Sequence, residues 1–347
     1  MMSFNDPHKK QFQTILKRIV RDRTFGTFLL ALVFIVAMGS VRPNKPQGIH
    51  AKRFWAMKIS WRDYADVVVT GDSRVLGGVS PAQMEKTLSN RRIVNYAFGL
   101  CNLYTAEYLE ATEHVLDPNS RTKTIILGIT PHSLTGNTDA ESQFLELKHR
   151  SKREIFIDRH LAALFDFFDY MSFRDVLLGV FPHLVKSHTR REFCADGWLA
   201  YSKHPPGKKK ELKTYRRKYE KYQVSPAVIE NLLDYVSQWT GSGIRVYAFL
   251  VPTCQEMVEL EKEMSGFNQS QFVAAFKKAG GMWIDIDPAA YDSFDGSHLQ
   301  SESALKFSSD LASRIYEIEQ QSCKISLGYD VVGFSLITRI TDRNYGI

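Results

Sequence analysis

The sequence predicts an α/β domain of three layers, in which helices cover both faces of a five-stranded parallel sheet, preceded by one N-terminal transmembrane helix. Three observations support this prediction. Short apolar or β-branched runs alternate with helix-like segments, which favours a parallel sheet buried on both faces. The chain has 347 residues, of which 44% are hydrophobic, enough for one large core. Residues 24–41 contain no charged side chain.

The uncharged segment 24–41 lies between Arg23 and Arg42. A helix of this length spans close to the ~30 Å hydrocarbon core of a bilayer, which predicts a membrane anchor. A buried helix and a cleaved signal peptide are the alternatives, the latter because Ala37-Met38-Gly39 provides small residues for cleavage. The polar leader, residues 1–23, is long for a signal peptide and favours an anchor that is not cleaved. Basic residues flank the segment on both sides, so charge does not decide its orientation.

The main domain is predicted at residues 64–320, and its first strand ends at Gly71-Asp72-Ser73-Arg74. The valine-rich run before Gly71 indicates a buried strand, and Ser80-Pro81-Ala82-Gln83 indicates a helix start with a capping box. Ser73 therefore follows the carboxyl end of a strand, where ligands bind in open α/β sheets. We take Ser73 as the candidate nucleophile and Asp72 as a residue that holds the turn. Arg74 either binds an anionic substrate group or forms a structural ion pair.

Four more strands are predicted at 92–99, 122–129, 244–251 and 282–286, with helices at 225–239, 255–280 and 301–320. Gly99 ends the second strand. Its backbone N–H is a candidate oxyanion donor because a residue without Cβ permits close approach, and a plain strand-to-helix turn is the alternative. Asn102 is either a side-chain oxyanion donor or the cap of the following helix.

Residues 130–222 are predicted to be an irregular, basic insertion, whereas residues 42–63 form a linker and 321–347 a C-terminal extension. The run 208–221 holds eight Lys or Arg and two Glu, typical of a solvated helix face or of a surface that attracts anionic glycan or lipid. His132, beyond the third strand, is within reach of the site. The formal net charge is +7, but no nucleic-acid-binding motif accompanies it, so no nucleic acid is expected as a partner.

The second informative stretch is Phe294-Asp295-Gly296-Ser297-His298-Leu299, between the fifth strand and the last helix. A serine hydroxyl is a poor nucleophile at neutral pH. It needs an imidazole within hydrogen-bond reach and a carboxylate that holds the imidazole in the correct tautomer. Ser73, His298 and Asp295 provide these three groups, which predicts acyl transfer through a covalent serine intermediate.

The motifs Gly71-Asp72-Ser73, Gly99 and Asp295-x-x-His298, in this order over residues 64–320, resemble the SGNH (GDSL-type) hydrolase superfamily. The membrane-anchored layout resembles the SGNH-like proteins of cell-envelope and exopolysaccharide acylation, as in alginate acetylation and teichoic-acid D-alanylation. The resemblance implies a flavodoxin-like sheet, residues 1–23 in the cytoplasm, and a catalytic domain in the periplasm or at the cell surface. One departure is the third motif. The family's Gly-x-Asn-Asp is replaced by Gly128-Ile129-Thr130-Pro131, so the oxyanion Asn is missing.

The expected function is that of a membrane-anchored serine esterase or O-acyltransferase. Its substrates are acyl, chiefly acetyl, esters of an envelope or extracellular polysaccharide, and it uses no metal and no cofactor. A membrane-embedded acyl-donor protein is a further expected partner. The alternative is a non-catalytic SGNH-like protein that binds glycan or scaffolds a polysaccharide-modifying complex, and the missing Asn supports it. A soluble or lipid-directed esterase is a third alternative.

Overall fold

The structure is a computed structural model that describes residues 23–40, 47–99, 104–136, 142–162, 188–287 and 290–326. Its strands are β1 (Gln47–Gly48), β2 (Val67–Gly71), β3 (Ile93–Asn95), β4 (Thr124–Ile129), β5 (His188–Phe193), β6 (Leu199–His204), β7 (Arg245–Leu250) and β8 (Met282–Ile284). Its helices are α1 (Arg23–Ser40), α2 (Ala51–Ile59), α3 (Ser73–Gly78), α4 (Pro81–Met84), α5 (Ala106–Val115), α6 (Gln143–Lys148), α7 (Lys152–His160), α8 (Lys209–Lys221), α9 (Pro226–Gly241), α10 (Gln255–Met264), α11 (Gln269–Lys278) and α12 (Ser301–Ser326). A short 3-10 helix, His132–Leu134, follows β4.

The main sheet has five strands in the order β3-β2-β4-β7-β8, and every neighbouring pair is parallel. The predicted parallel five-stranded sheet is thereby confirmed. The chain leaves β2 for β3 on one side and then crosses to β4 on the other side, so the winding direction reverses at β2. This order is that of a doubly wound sheet whose binding crevice opens at the carboxyl end of the reversal strand.

Alternate residues of the strands enter two separate cores, which explains why the strands are apolar throughout. Val68 of β2 belongs to a core with buried side chains of α5, α9 and α11. Its neighbours Val67 and Val69 belong to a second core with α3, α4 and α12. Because successive side chains of a strand point to opposite faces, helices cover the sheet on both faces. The arrangement is consistent with the predicted three layers.

The segment that we predicted to be a linker, residues 42–63, is folded onto the domain where the structure describes it. Phe54 of α2 is fully buried and packs edge-on against Phe193 of β5. β1 pairs with β5, which pairs in turn with β6 in a small second sheet. The domain therefore begins before residue 64, because the aromatic side chains of α2 are part of its second core.

The predicted membrane segment 24–41 falls largely on α1. Six large apolar side chains of α1 are each at least 38% exposed: Phe28, Leu29, Leu30, Leu32, Val33 and Phe34. Across the part of the chain that the structure describes, length and hydropathy together mark no helix as able to cross a bilayer. The anchor stays a prediction, and residues 1–22 of the predicted cytoplasmic tail lie outside the described residues.

The insertion at 130–222 contains regular structure where it is described: helices α6 and α7, the β5–β6 hairpin and the basic helix α8. Tyr215 and Tyr219, one turn apart on α8, are buried against α10, so only one face of this basic helix is solvated. The sequence predicted an irregular segment here because its strands are polar and its helices carry many charged side chains. Residues 163–187 lie outside the described residues, as do residues 327–347 of the C-terminal extension.

Candidate active site

Ser73 is the first residue of α3 and is separated from the end of β2 by Asp72 alone. Asp72 caps this helix: its Oδ1 accepts the backbone N–H of Arg74 at 2.9 Å, and its Oδ2 accepts the Thr130 hydroxyl at 2.6 Å. The turn is tight, since a Cβ at Gly71 would lie 2.4 Å from Val75 Cγ2. The helix therefore begins at Ser73 rather than at Ser80, and Ser80 precedes only the short α4 without a side-chain cap.

The loop between β8 and α12 carries Asp295 and His298. Asp295 Oδ1 accepts the backbone N–H groups of Ser297 and His298, both at 2.8 Å, and Gly296 between them has a φ of 91°. Only glycine adopts such a left-handed conformation at little cost. The carboxylate therefore organises its own loop and leaves Oδ2 free for the imidazole.

The loop brings Asp295 and His298 to Ser73, which precedes His298 by 225 positions. His298 Nδ1 lies 2.9 Å from Asp295 Oδ2, and His298 Nε2 lies 3.0 Å from Ser73 Oγ. With its proton on Nδ1, the imidazole donates to the carboxylate and accepts the serine hydroxyl through Nε2. These three side chains, here called the triad, have the connectivity that activates a serine nucleophile.

Asp295 is suited to remain ionised. Burial opposes its ionisation, since its exposed fraction is only 9%. Hydrogen bonds and the charge of His298, together with the two backbone N–H donors, nevertheless hold its pKa below the ordinary value. A carboxylate that stays charged can fix the imidazole tautomer and stabilise an imidazolium.

Ser73 and His298 open onto a pocket of about 260 Å³. Its walls are mainly apolar, and its lining residues are Ser73, Leu76, Gly77, Arg191, Leu199, Tyr201, Phe294, Asp295 and His298. A larger cavity of about 960 Å³ lies between the end of β7 and helices α10 and α11, and no member of the triad lines it. A substrate that reacts with Ser73 must therefore bind in the smaller pocket.

Arg74 is turned away from this pocket into the protein. It is 1% exposed, and its guanidinium pairs with Glu261 at 2.6 Å. Burial opposes its charge, but Glu261 raises the pKa of Arg74 above its ordinary value. Its Nε donates to Ser297 Oγ at 2.9 Å, and Tyr215 lies beneath its guanidinium. Of the two roles that the sequence left open for Arg74, this geometry favours the structural ion pair.

Gly99 lies at the carboxyl edge beside the nucleophile, because the Phe98 N–H donates to the carbonyl of Gly71 at 3.1 Å. Its own N–H, the candidate oxyanion donor, donates to Gln143 Oε1 at 2.8 Å. Asn102, the other candidate, lies outside the described residues. His132 is buried behind the site, with Nε2 3.1 Å from Lys218 Nζ.

Several residues around the triad carried no motif in the sequence. Gln143, Arg191, Tyr201 and Glu261 reach the site from elements far away in the chain. The only available signals were indirect, such as the aromatic spacing of α8 that places Tyr215 beneath Arg74. Contacts between elements that are distant in the chain produce no local sequence periodicity, so the sequence alone does not predict them.

No protein-family model matches this sequence, and no curated protein or solved structure shows significant similarity to it. The resemblance to the SGNH superfamily therefore rests on the motifs themselves and stays a prediction. In the described residues, no group of three or more His, Cys, Asp or Glu side chains is arranged to hold a metal ion.

Proposed function

We propose that this protein is an SGNH-type serine esterase or O-acyltransferase. One observation carries the proposal: the continuous hydrogen-bonded chain from Ser73 through His298 to Asp295, at the mouth of a pocket. These hydrogen-bonded side chains lie at the carboxyl end of β2, the strand at which the sheet winding reverses, and doubly wound folds bind ligands at this position.

In the proposed reaction, His298 Nε2 takes the proton of Ser73 while Ser73 Oγ attacks the ester carbonyl. The backbone N–H groups of Ser73 and Gly99 stabilise the oxyanion, which requires Gln143 Oε1 to leave Gly99. The ester C–O bond then breaks, and the alcohol departs with the proton from His298. Water or a sugar hydroxyl next gives its proton to His298 and attacks the acyl-serine. The bond between the acyl carbon and Ser73 Oγ breaks, His298 returns the proton to Ser73 Oγ, and an acid or a new ester is released.

The proposed substrates are acyl, chiefly acetyl, esters of an envelope or extracellular polysaccharide, and the domain faces the periplasm or the cell surface. The exposed apolar side chains of α1 support a membrane association, because isolated large apolar patches are costly in water. We expect the full chain to sediment with membranes. A variant with Leu30→Lys and Phe34→Lys should be released, and equal sedimentation of both would contradict the anchor.

A second prediction concerns the triad. Ser73→Ala and His298→Ala should each lower kcat for a chromogenic acetyl ester by at least about 10³-fold, because nucleophile and base act as one unit. Ser237→Ala, at an exposed position on α9, is the matched control and should leave kcat unchanged. A serine-directed phosphonate should label the natural chain and the control, and not the Ser73 variant.

A second function, a non-catalytic glycan-binding or scaffold protein, is supported by the contact between Gly99 N–H and Gln143, which occupies one of the two proposed oxyanion donors. The two functions differ in the cell. A catalyst loses its polysaccharide modification when Ser73 is replaced by Ala, whereas a scaffold retains it. Absence of turnover and of phosphonate labelling in the natural chain would favour the scaffold.

A further inference from the structure

The pocket beside Ser73 contains one cation that ester cleavage does not require. Arg191 of β5 is an exposed residue that lines the pocket. Its Nη2 donates to the Tyr201 hydroxyl at 3.3 Å, and its guanidinium lies 5.2 Å from the centre of the Tyr201 ring. In the described part of the chain, no carboxylate forms an ion pair with Arg191. Its charge is therefore available to a ligand.

Three successive ring contacts connect Arg191 to the triad. The guanidinium covers Tyr201, the Tyr201 ring stacks on Phe294 at 4.5 Å, and Phe294 stacks on the imidazole of His298 at 5.8 Å. These contacts fix the position of the Arg191 guanidinium relative to Ser73 and His298. It is also separated from them by the thickness of two rings, so it addresses a part of the ligand remote from the ester carbonyl.

The hairpin that carries Arg191 is anchored to the main domain close to the pocket. Trp198, between β5 and β6, donates its indole N–H to the carbonyl of Gly77 at 2.9 Å, and Asn95 donates its backbone N–H to the carbonyl of Asp196 at 2.8 Å. Antiparallel pairing places Arg191 opposite Tyr201. A guanidinium held by such a frame loses little conformational entropy when it binds an anion.

The other charges of the pocket do not compete for this ligand. Among the described residues that line the pocket, Asp295 is the one carboxylate, and its oxygens are engaged by His298 and by the backbone of its own loop. A guanidinium presents parallel N–H donors that match the two oxygens of a carboxylate or phosphate. An anionic group at the pocket rim is therefore the partner that fits Arg191.

We propose that Arg191 selects esters whose alcohol portion carries an oxyanion group, either a carboxylate or a phosphate. For a polysaccharide this means an acidic glycan. The inference rests on the proposed ester chemistry of Ser73 and names the class of substrate that the same site takes.

The test compares three esters that differ in one group: 3-acetoxybenzoate, 3-acetoxyphenyl phosphate and the neutral 3-acetoxybenzamide. The measured quantity is the ratio of kcat/KM for each anionic ester to that for the amide. Arg191→Gln should lower this ratio by roughly three- to tenfold, as expected for one partly exposed charge-assisted contact. The larger of the two reductions identifies carboxylate or phosphate as the preferred group, and added salt should diminish both.

Arg92→Gln is the matched control. Arg92 is also an exposed arginine over a tyrosine ring, Tyr64 at 4.7 Å. It directly precedes β3 and so lies at the amino ends of the parallel strands, whereas the triad lies at their carboxyl ends. The Arg92→Gln variant has the same net charge as Arg191→Gln. Its ratio of kcat/KM for the anionic esters to that for the amide should equal the ratio of the unsubstituted protein. Comparison of ratios between variants cancels the different intrinsic reactivities of the three esters.

An unchanged ratio in Arg191→Gln, with hydrolysis intact, would overturn the anion site and leave the proposed function standing. Absence of hydrolysis for all three esters would instead overturn the proposed function. In that case the anion site is tested by NMR titration with the alcohols, 3-hydroxybenzoate and 3-hydroxybenzamide. Preference of the natural chain for the benzoate, lost in Arg191→Gln, would support the site, and equal binding would reject it.

Discussion

The residue that follows the nucleophile is joined directly to the residue that precedes the base. Arg74 donates to Ser297 Oγ, while Glu261 of α10 neutralises the buried guanidinium and also accepts the Tyr219 hydroxyl at 3.0 Å. Ser73 and His298 are therefore each one peptide unit away from a shared buried contact. Because a buried charge is costly without its partner, this contact constrains the distance between the two reacting side chains.

At this scale we predict strong coupling between Arg74 and Glu261. Arg74→Met and Glu261→Met should each lower the free energy of unfolding by about 3–5 kcal/mol, since each leaves an uncompensated buried charge. The double variant should recover a large part of the loss, because both charges are then absent. Urea unfolding of the four proteins measures the coupling. Losses that add in the double variant would contradict it.

The loop between β8 and α12 is the element that sets the position of the base. Its shape depends on the left-handed Gly296, on the two backbone N–H donors to Asp295, and on the Gly207 N–H, which donates to the Phe294 carbonyl at 2.8 Å. A Cβ at Gly296 would also lie 3.3 Å from both Cys254 Sγ and Lys208 Cβ. The loop is thus defined by backbone geometry as much as by its side chains.

We therefore predict that Gly296→Ala lowers both stability and activity. A left-handed φ costs alanine about 1–2 kcal/mol, and the adjustment moves His298 relative to Ser73. The control is Gly207→Ala, because Gly207 has no left-handed φ and a Cβ there would contact nothing within 4 Å. Thermal unfolding and ester hydrolysis are the measurements. Similar effects of the two substitutions would argue against a special role for Gly296.

For the whole molecule, the buried His132 couples stability to pH. Burial is the main reason that the pKa of His132 falls from 6.5 to about 3, and the neighbouring Lys218 and Arg74 lower it further against the opposing effect of Asp72. The folded protein therefore keeps His132 neutral at pH values where the unfolded chain protonates it. Its contribution to stability is complete above pH 6.5 and is lost as the pH falls from there towards 3.

We predict that the free energy of unfolding decreases through this range with a His132 contribution of about 1.4 kcal/mol per pH unit. His132→Gln should have a shallower dependence between pH 6 and pH 4, whatever its stability at pH 7. Urea unfolding at several pH values gives both slopes. Parallel curves for the natural chain and the variant would show that His132 does not titrate in this way.

Elements whose burial produces a regular pattern of apolar residues could be predicted from the sequence. The five strands of the main sheet were predicted because both of their faces are buried, and their observed ends differ from the predicted ones by a few residues. The segment predicted to be helical at 255–280 forms the two helices α10 and α11. Ser73, Asp295 and His298 were found because their chemistry restricts the residue types, and the structure brings all three together.

Other features depend on contacts that local patterns do not encode. Arg191 and Glu192 of the β5–β6 hairpin are consecutive and both exposed, so this part of the hairpin shows no apolar alternation and its sequence resembles a loop. Glu261 contacts Arg74 across 187 positions and Gln143 contacts Gly99 across 44. The cap at Asp72 was missed because Ser80 has the stronger local signature, although Thr130 and the sheet edge favour a start at Ser73.

The 225 positions between Ser73 and His298 also matter while the chain is being made. The nucleophile emerges from the ribosome early, whereas its base emerges only after β8. Contacts of such high sequence separation slow folding, because closing the intervening loop costs conformational entropy. A chain that stops before Asp295 carries a serine with no base, so the proposed chemistry begins only once the chain extends past His298.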